Sequence, residues 1–300
     1  NVWIVGKNAA VLRWDGALFR EVVIPSSVLG GKTPTFRAVH GDSQGNVWIV
    51  GEANSVIRFD PNGTPSAVPT NLVSSNAYEM TYTGVHAAQG SVWLSAFSPG
   101  LADGFIGNYT AATNKLTTTQ LTKLLPPIVG DELHAVDCSS ATDCWFVGAA
   151  QTVVHLTGGS AYAKVTLSND TSCGAPPSDF IIRSVYAHAT ISSVKMVGEY
   201  NNMTPYFISH NGKCFFQTDK DSQMNVIPTV PLSLHGRSPD NLVVVGPDAM
   251  YRWRTNGLTK IPGIDKTTWQ SVSTVPSGFF AVSKGSMIEP SGRVYYVDLP

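Results

Sequence analysis

The chain has 300 residues, 43% hydrophobic and 14% charged, with a formal net charge of −1. That is enough apolar material for a substantial core. The scattered Lys and Arg exclude the basic patch that nucleic-acid binding needs, and no apolar run approaches the roughly 18 residues of a membrane-spanning helix.

The order of the chain is that of a repeat. Val2-Trp3-Ile4-Val5-Gly6 near the start returns as Val47-Trp48-Ile49-Val50-Gly51. It returns again as Val92-Trp93-Leu94-Ser95-Ala96 and Trp145-Phe146-Val147-Gly148. Weaker copies are Lys195-Met196-Val197-Gly198, Val243-Val244-Val245-Gly246 and Phe280-Ala281-Val282-Ser283. The copies end at positions 6, 51, 96, 148, 198, 246 and 283, a period that suits one four-stranded blade.

Each copy after the first follows a short run ending in an aliphatic residue, such as Arg37-Ala38-Val39-His40 or Arg183-Ser184-Val185-Tyr186. Turn formers separate the two, as in Asp42-Ser43-Gln44-Gly45-Asn46. Gly and Asn tolerate the positive φ that tight hairpins require. A third strand, a turn such as Asp60-Pro61-Asn62-Gly63 and a fourth strand follow. Four antiparallel strands per unit, A to D in chain order, repeated seven times, predict an all-β, seven-bladed β-propeller as a single domain over 1–300. Blade one starts at its B strand and lacks its inner strand in this chain, and Arg293–Val297 reads as the D strand of blade seven. An upstream segment or a partner strand is expected to fill the gap, because an open inner edge exposes backbone hydrogen-bonding groups. The chain opens at Asn1 with neither an initiator Met nor a leader, so it reads as processed or partial.

Four cysteines allow two disulfides. Cys138 and Cys144 flank Ser-Ser-Ala-Thr-Asp, a hairpin turn by composition, and are expected to pair across it. Cys173 and Cys214 form the other expected pair, and together they imply an oxidising compartment. Four reduced, buried thiols are the alternative.

From Arg37 to Pro61 the chain resembles the regulator-type propeller repeat, on Asp42, Gly45, Asn46, Val47, Trp48, Ile49, Gly51, Arg58, Phe59 and Asp60. His235-Gly236-Arg237-Ser238-Pro239-Asp240-Asn241 with Val245-Gly246 is similar to a bacterial secreted surface repeat, with Val243 or Val244 where that repeat has Trp. The resemblance implies the propeller fold and a place among extracellular sensors, adhesion modules and secreted proteins.

The polar B–C turns are where a ligand is expected to meet a propeller. Glu52, Asn54, Asp103, Glu199, Asn201 and Asp248 are the candidate ligand-binding residues, with ordinary solvated turns as the competing explanation. His40, His86 and His235 share one repeat position with Asp137 and Tyr186; inner-strand histidines are expected to hydrogen-bond within their own blade, and no metal or cofactor is expected. Trp3, Trp48, Trp93 and Trp145 are expected in the core between blades. Arg13-Trp14, Arg58-Phe59 and Arg252-Trp253 are expected to stack within their blades, with a sugar platform as the sharper alternative. The four sequons at Asn62, Asn108, Asn169 and Asn202 fall at expected turns and are taken as incidental to a bacterial chain.

No nucleophile elbow, zinc-protease helix or phosphate loop is present, so no catalytic residue is assigned. The reading is a non-catalytic binding or scaffold module, secreted, periplasmic or cell-surface, that recognises a protein or glycan through its loops, without nucleic acid and without a membrane span. The longer D–A loops, Pro25 to Thr35, Val68 to Met80, Leu121 to Asp131 and Ser168 to Phe180, are expected to carry recognition. The alternative is a propeller lyase or glycosidase with a carboxylate and a His at the channel mouth.

Overall fold

The computed structural model describes residues 2–70, 79–88, 90–125, 131–167, 180–188, 194–201, 204–210, 215–218, 220–263, 267–283 and 292–298. The fold is an all-β, seven-bladed propeller of small antiparallel sheets. Blade one has Trp3–Val5, Val11–Trp14 and Phe19–Glu21, and as expected no inner strand pairs with the first of these among the described residues. Blades two to six have four strands each, in chain order across the sheet. Their A and B strands are Phe36–Gly41 and Val47–Gly51, Thr81–Ala88 and Ser91–Ser98, Leu133–Ser140 and Asp143–Gly148, Phe180–Tyr186 and Lys195–Tyr200, and Ser233–Ser238 and Asn241–Gly246. Blade seven has Trp269–Val275, Gly278–Ser283 and Val294–Asp298.

The last strand corrects the sequence reading. Val294–Asp298 pairs directly with the B strand, Val282 opposite Val294 and Gly278 opposite Asp298, so it is the third strand of blade seven and not the fourth. Its alternation of Val and Tyr marks it as a strand, but rank in a sheet depends on the partner. Two further differences are small. One-turn helices, Ser26–Leu29 and Leu121–Leu124, stand in two of the D–A loops. Asn108 of the second sequon lies in mid-strand, opposite Trp93, instead of in a turn.

Contacts divide the chain into two compact units, Asn1–Phe146 with Val154–Lys164, and Val147–Val153 with Val165–Pro300. In the first unit Trp48, Val50 and Val56 of blade two pack against Tyr82, Leu94 and Tyr109 of blade three. Trp93 of blade three packs with Leu133, Phe146 and Leu156 of blade four. Trp3 packs beside Ile49 and Phe59. In the second unit Phe207 meets Leu242, Tyr251 and Trp253, and Val243 and Met250 meet Trp269 and Phe279. The B strand of blade two is buried along its whole length, so both of its faces need a neighbour. Each such side chain contributes on the order of 1.5–3 kcal/mol on burial, which a lone sheet could not collect.

The repeat residues outside the core lock the A–B hairpins of blades two, four and six. Asp42 accepts the backbone N–H groups of Gln44 and Asn46 on one oxygen, and the Asn46 amide and Trp48 indole on the other. Arg58 donates from Nε and Nη2 to Asn46 Oδ1 and lies over Trp48. Blade six repeats the bond with Arg252 and Asn241. Blade four substitutes His155 against Asp143 at 2.7 Å, with the imidazole stacked on Trp145. Arg13 lies over Trp3 in blade one. The arginines therefore brace their own blades, as expected, and Arg58 also reaches blade three, its Nη1 donating to the Tyr109 hydroxyl at 3.5 Å; Trp253 takes its cation from the preceding blade, from Lys195 Nζ at 4.9 Å.

The repeat glycine ends the B strand because the neighbouring backbone leaves no room. A Cβ on Gly198 would stand 2.0 Å from the Ile181 carbonyl oxygen, and one on Gly51 would stand 2.3 Å from that of Thr35. Gly6, the same position in blade one, has nothing within 4 Å. Cys138 and Cys144 are bonded across the A–B hairpin of blade four, with Cα atoms 4.0 Å apart. The expected pairing of Cys173 with Cys214 lies outside the described residues.

Gly198→Ala is expected to cost about 2–3 kcal/mol through forced backbone movement, and Gly6→Ala less than about 0.5. Urea denaturation midpoints measure both. A Gly6→Ala loss as large as that of Gly198→Ala would mean that a strand lies against blade one. Replacing Cys138 and Cys144 by alanine should lower stability by about 2 kcal/mol, the loop-closure entropy of so short a ring, read from the same titration.

Candidate functional site

The B–C turns are built from left-handed backbone. Asn8 and Ala9, Ala53 and Asn54, and Ala150 and Gln151 are consecutive pairs with positive φ. Each pair is closed by a hydrogen bond from the following residue back to the preceding one, as in Ser55 N–H to Glu52 O at 3.1 Å. That is the type I′ hairpin turn, which favours Asn and Gly. Asp248 follows Pro247 with φ 61°, the pattern of a type II turn.

The second residue of each turn has a further partner. Ala9 N–H donates to Pro34 O, Asn54 N–H to Met80 O, Gln151 N–H to Phe180 O and Asp248 N–H to Thr267 O, at 2.7 to 3.0 Å. Every acceptor lies at the entry to the next blade's inner strand. The turns therefore staple blade to blade, within each compact unit.

The A strands contribute a bulge. Register shifts between Phe36 and Ala38, Tyr82 and Gly84, Ile182 and Ser184, and Trp269 and Ser271 leave Arg37, Thr83, Arg183 and Gln270 as the extra residues, at one common repeat position. A bulge re-aims its side chain. Arg37 thereby reaches Glu52 and Arg183 reaches Glu199. Thr83 instead bonds Ser95 and the Leu133 carbonyl.

The six candidate residues divide accordingly. Glu52 is half-exposed and paired with Arg37. Burial pushes its carboxyl up, but the hydrogen bond from Thr35 and the Arg37 guanidinium outweigh that, and the net displacement is below the usual carboxylate range. Asn54 is structural: its Oδ1 accepts the Met80 N–H at 2.8 Å, completing a two-way bond with that residue. Asp103 opens the C strand of blade three instead of standing in the turn, and is buried, with Oδ2 accepting from Thr122 at 2.6 Å. Glu199 likewise lies in the B strand, 5% exposed and held by the Arg183 fork. Asn201 and Asp248 are exposed turn residues.

Around Glu52 the first unit has an open groove of about 620 Å³, lined by Lys32, Pro34, Glu52, Glu79, Thr81 and Pro99 among others. It runs over the B–C ends of blades two and three. Lys32 Nζ is anchored on the Ala53 carbonyl at 3.0 Å. Glu79, Thr81 and Pro99 belong to no repeat motif, and nothing in their local pattern singles them out in the sequence. The long D–A loops point to the region only through Pro25–Thr35 and the end of Val68–Met80.

The inner-strand histidines bond from blade to blade. His40 Nδ1 accepts the Ala87 N–H at 3.2 Å, and its ring stacks on His86 at 4.3 Å. His86 Nδ1 lies 2.6 Å from Asp137 Oδ1. His235 Nδ1 accepts the Thr274 N–H at 3.1 Å. Adjacent inner strands stand close enough for one-to-one contacts, which a sequence reading of single blades overlooks. Among the described residues no group of three or more His, Cys, Asp or Glu is arranged to hold a metal ion, and no helix is long and apolar enough to cross a membrane.

No protein-family model matches the chain, and no curated sequence is significantly similar to it. Solved structures share its fold. The extracellular domain of the one-component system BT4673 from B. thetaiotaomicron superposes with a TM-score of 0.66 and 12% identity, covering 94% of this chain and 35% of that one. The WD40 propeller domain of Doa1 gives 0.63 and 11%, covering 94% and 85%. YCF48 bound to D1 peptide gives 0.59 and 8%, covering 84% and 75%.

Asn54→Ala removes the acceptor for a buried N–H and leaves alanine in a left-handed turn; it should cost about 2 kcal/mol, whereas Asp248→Asn should stay within about 0.5, both by thermal denaturation. In Arg37→Gln the Glu52 carboxyl should titrate higher than in the parent, followed by carbon-detected NMR. The sign follows from the lowered folded value: the Glu52 contribution to stability is present above its unfolded pKa and is lost as pH falls through the folded one.

Proposed function

We propose that the chain is a non-catalytic binding module of an extracytoplasmic protein, and that it takes an extended peptide segment of a partner into the groove over blades two and three. The observation that carries this reading is the groove itself, open along one side and carrying charges of both signs. Lys32 and Glu52 are held in place by the Ala53 carbonyl and Arg37, so binding need not order them. Glu79 offers a further exposed carboxylate, and Pro34 and Pro99 supply rigid apolar walls. The peptide carried by YCF48 and the extracellular propeller of BT4673 give precedent on the same fold. The bonded Cys138 and Cys144 support an oxidising compartment.

The lyase or glycosidase alternative asks for a general acid with a raised pKa. Glu52 is displaced the other way and is committed to an arginine. Asn201 and Asp248 remain candidates for a second contact surface in the other unit.

The test is selection of binders from a random peptide library, followed by calorimetry. Glu79→Lys and Pro99→Trp should weaken the selected peptides at least tenfold, and Val23→Lys, at an exposed position outside the groove, should leave them unchanged. Equal affinity in all three variants, or retention only by a glycan array, would sink the peptide reading.

A further inference from the structure

The two histidines that accept a backbone N–H occupy the same repeat position and do the same thing. His40 follows Val39 on the A strand of blade two, and His235 follows Leu234 on that of blade six. Their acceptors' donors also match: Ala87 lies two residues after Val85, and Thr274 two after Val272. In both cases the bond crosses from one inner strand to the next. One seam lies in the first compact unit and the other in the second, so the observation is made twice, independently.

The chemistry of the bond constrains the ring. A nitrogen that receives a backbone N–H must present a lone pair, so Nδ1 of both rings carries no proton and the neutral tautomer protonated at Nε2 is required. Protonation adds its hydrogen at Nδ1. The acceptor becomes a second donor aimed at an N–H, and the bond is replaced by a repulsion, leaving Ala87 N–H, on a residue 5% exposed, without its partner.

We propose that His40 and His235 are acid-labile latches: the inner-strand seams between blades two and three, and between blades six and seven, are closed by neutral imidazole and open when it protonates. The groups around the two rings differ. Against His40 stands the His86 ring on the next inner strand, and behind His86 stands Asp137. The Asp137 carboxylate accepts from His86 Nδ1. Across its own sheet His40 is opposite Trp48, and Asp42, two residues on, already accepts four hydrogen bonds. Around His235 the Thr274 hydroxyl, 2.9 Å from Nδ1, can accept the added proton, but the Thr274 backbone N–H still loses its acceptor. Val243 is opposite, and Arg237, two residues on, donates to the Pro276 carbonyl and adds positive charge. Tyr186 holds the matching position on blade five.

The experiment is amide hydrogen exchange on the whole chain at pH 7.5 and pH 5, corrected for intrinsic rates, with Ala87 and Thr274 as reporters. Protection at both should fall by up to about 30-fold, the ratio by which an imidazole with an ordinary pKa near 6.5 favours its protonated form at pH 5. Asparagine places an amide oxygen where Nδ1 stood and does not titrate. In His40→Asn the fall at Ala87 should vanish while that at Thr274 persists, and His235→Asn should do the reverse. Protection at both amides that ignores pH, or a fall at Ala87 that survives His40→Asn, overturns the proposal. The two seams serve as controls for one another, so failure of one variant to fold leaves the other decisive.

Discussion

Neighbouring blades are joined here by a backbone hydrogen bond that only a left-handed residue can make. At Ala9, Asn54, Gln151 and Asp248 the chain turns with positive φ and points an N–H at the carbonyl ahead of the next inner strand. Non-glycine residues enter that region at a cost of roughly 1 kcal/mol. A satisfied bond in a seam otherwise closed by apolar side chains offsets it. A second contact stands beside it, within the blade. The blade's own inner strand runs so near the end of the B strand that glycine is needed there in blades two and five. The inner strand bulges beside the same contact, and the bulge throws Arg37 and Arg183 onto the carboxylates that follow the glycine.

The polarity of the B–C turns therefore has two sources. Asn is favoured at a left-handed position whether or not a ligand is present, and Asn54 shows the consequence, with its side chain and backbone both bonded to Met80. Glu199 is different, since neither turn geometry nor the seam calls for a carboxylate, yet its charge is matched by Arg183 and sealed from solvent. Glu52 has the same pairing but lies half-exposed on a groove. Identical repeat positions thus hold a closed ion pair in one unit and an accessible one in the other.

How much of this was legible depends on what each residue answers to. The B strands could be read directly, because burial on both faces demands an unbroken apolar run, and in blades two, five and six the run ends at a glycine whose Cβ would meet the backbone at the start of the blade's own inner strand. The hairpin lock was half legible: Asp42, Asn46, Trp48 and Arg58 stood out as a repeated set, though their mutual bonding did not. The last strand was misplaced because Val-Tyr-Tyr-Val declares a strand and says nothing of its neighbour. Asp103 and Glu199 read as turn residues because strand ends and turns have the same composition; only pairing to Ser98 and to Pro205 separates them. The inner-strand histidines are legible as a set, and what their spacing in the sequence does not show is that each reaches the next inner strand.

A repeat protein has to find its specificity where the repeat is broken. Residues common to several copies, such as the B-strand glycine, the turn asparagines and the hairpin arginines, are each engaged by a contact that the fold needs. A side chain tied to its neighbours in this way cannot turn to a partner without loosening a seam. The groove over blades two and three adds to the repeat-position Glu52 a lining peculiar to two junctions, namely Lys32 and Pro34 before one inner strand, Glu79 and Thr81 at the start of the next, and Pro99 in the longer turn of blade three. Substitution of the exposed Glu79 and Pro99 side chains leaves the glycine contacts, the turn bonds and the aromatic core untouched. Recognition can therefore vary there while the stacking of sheets stays as it is.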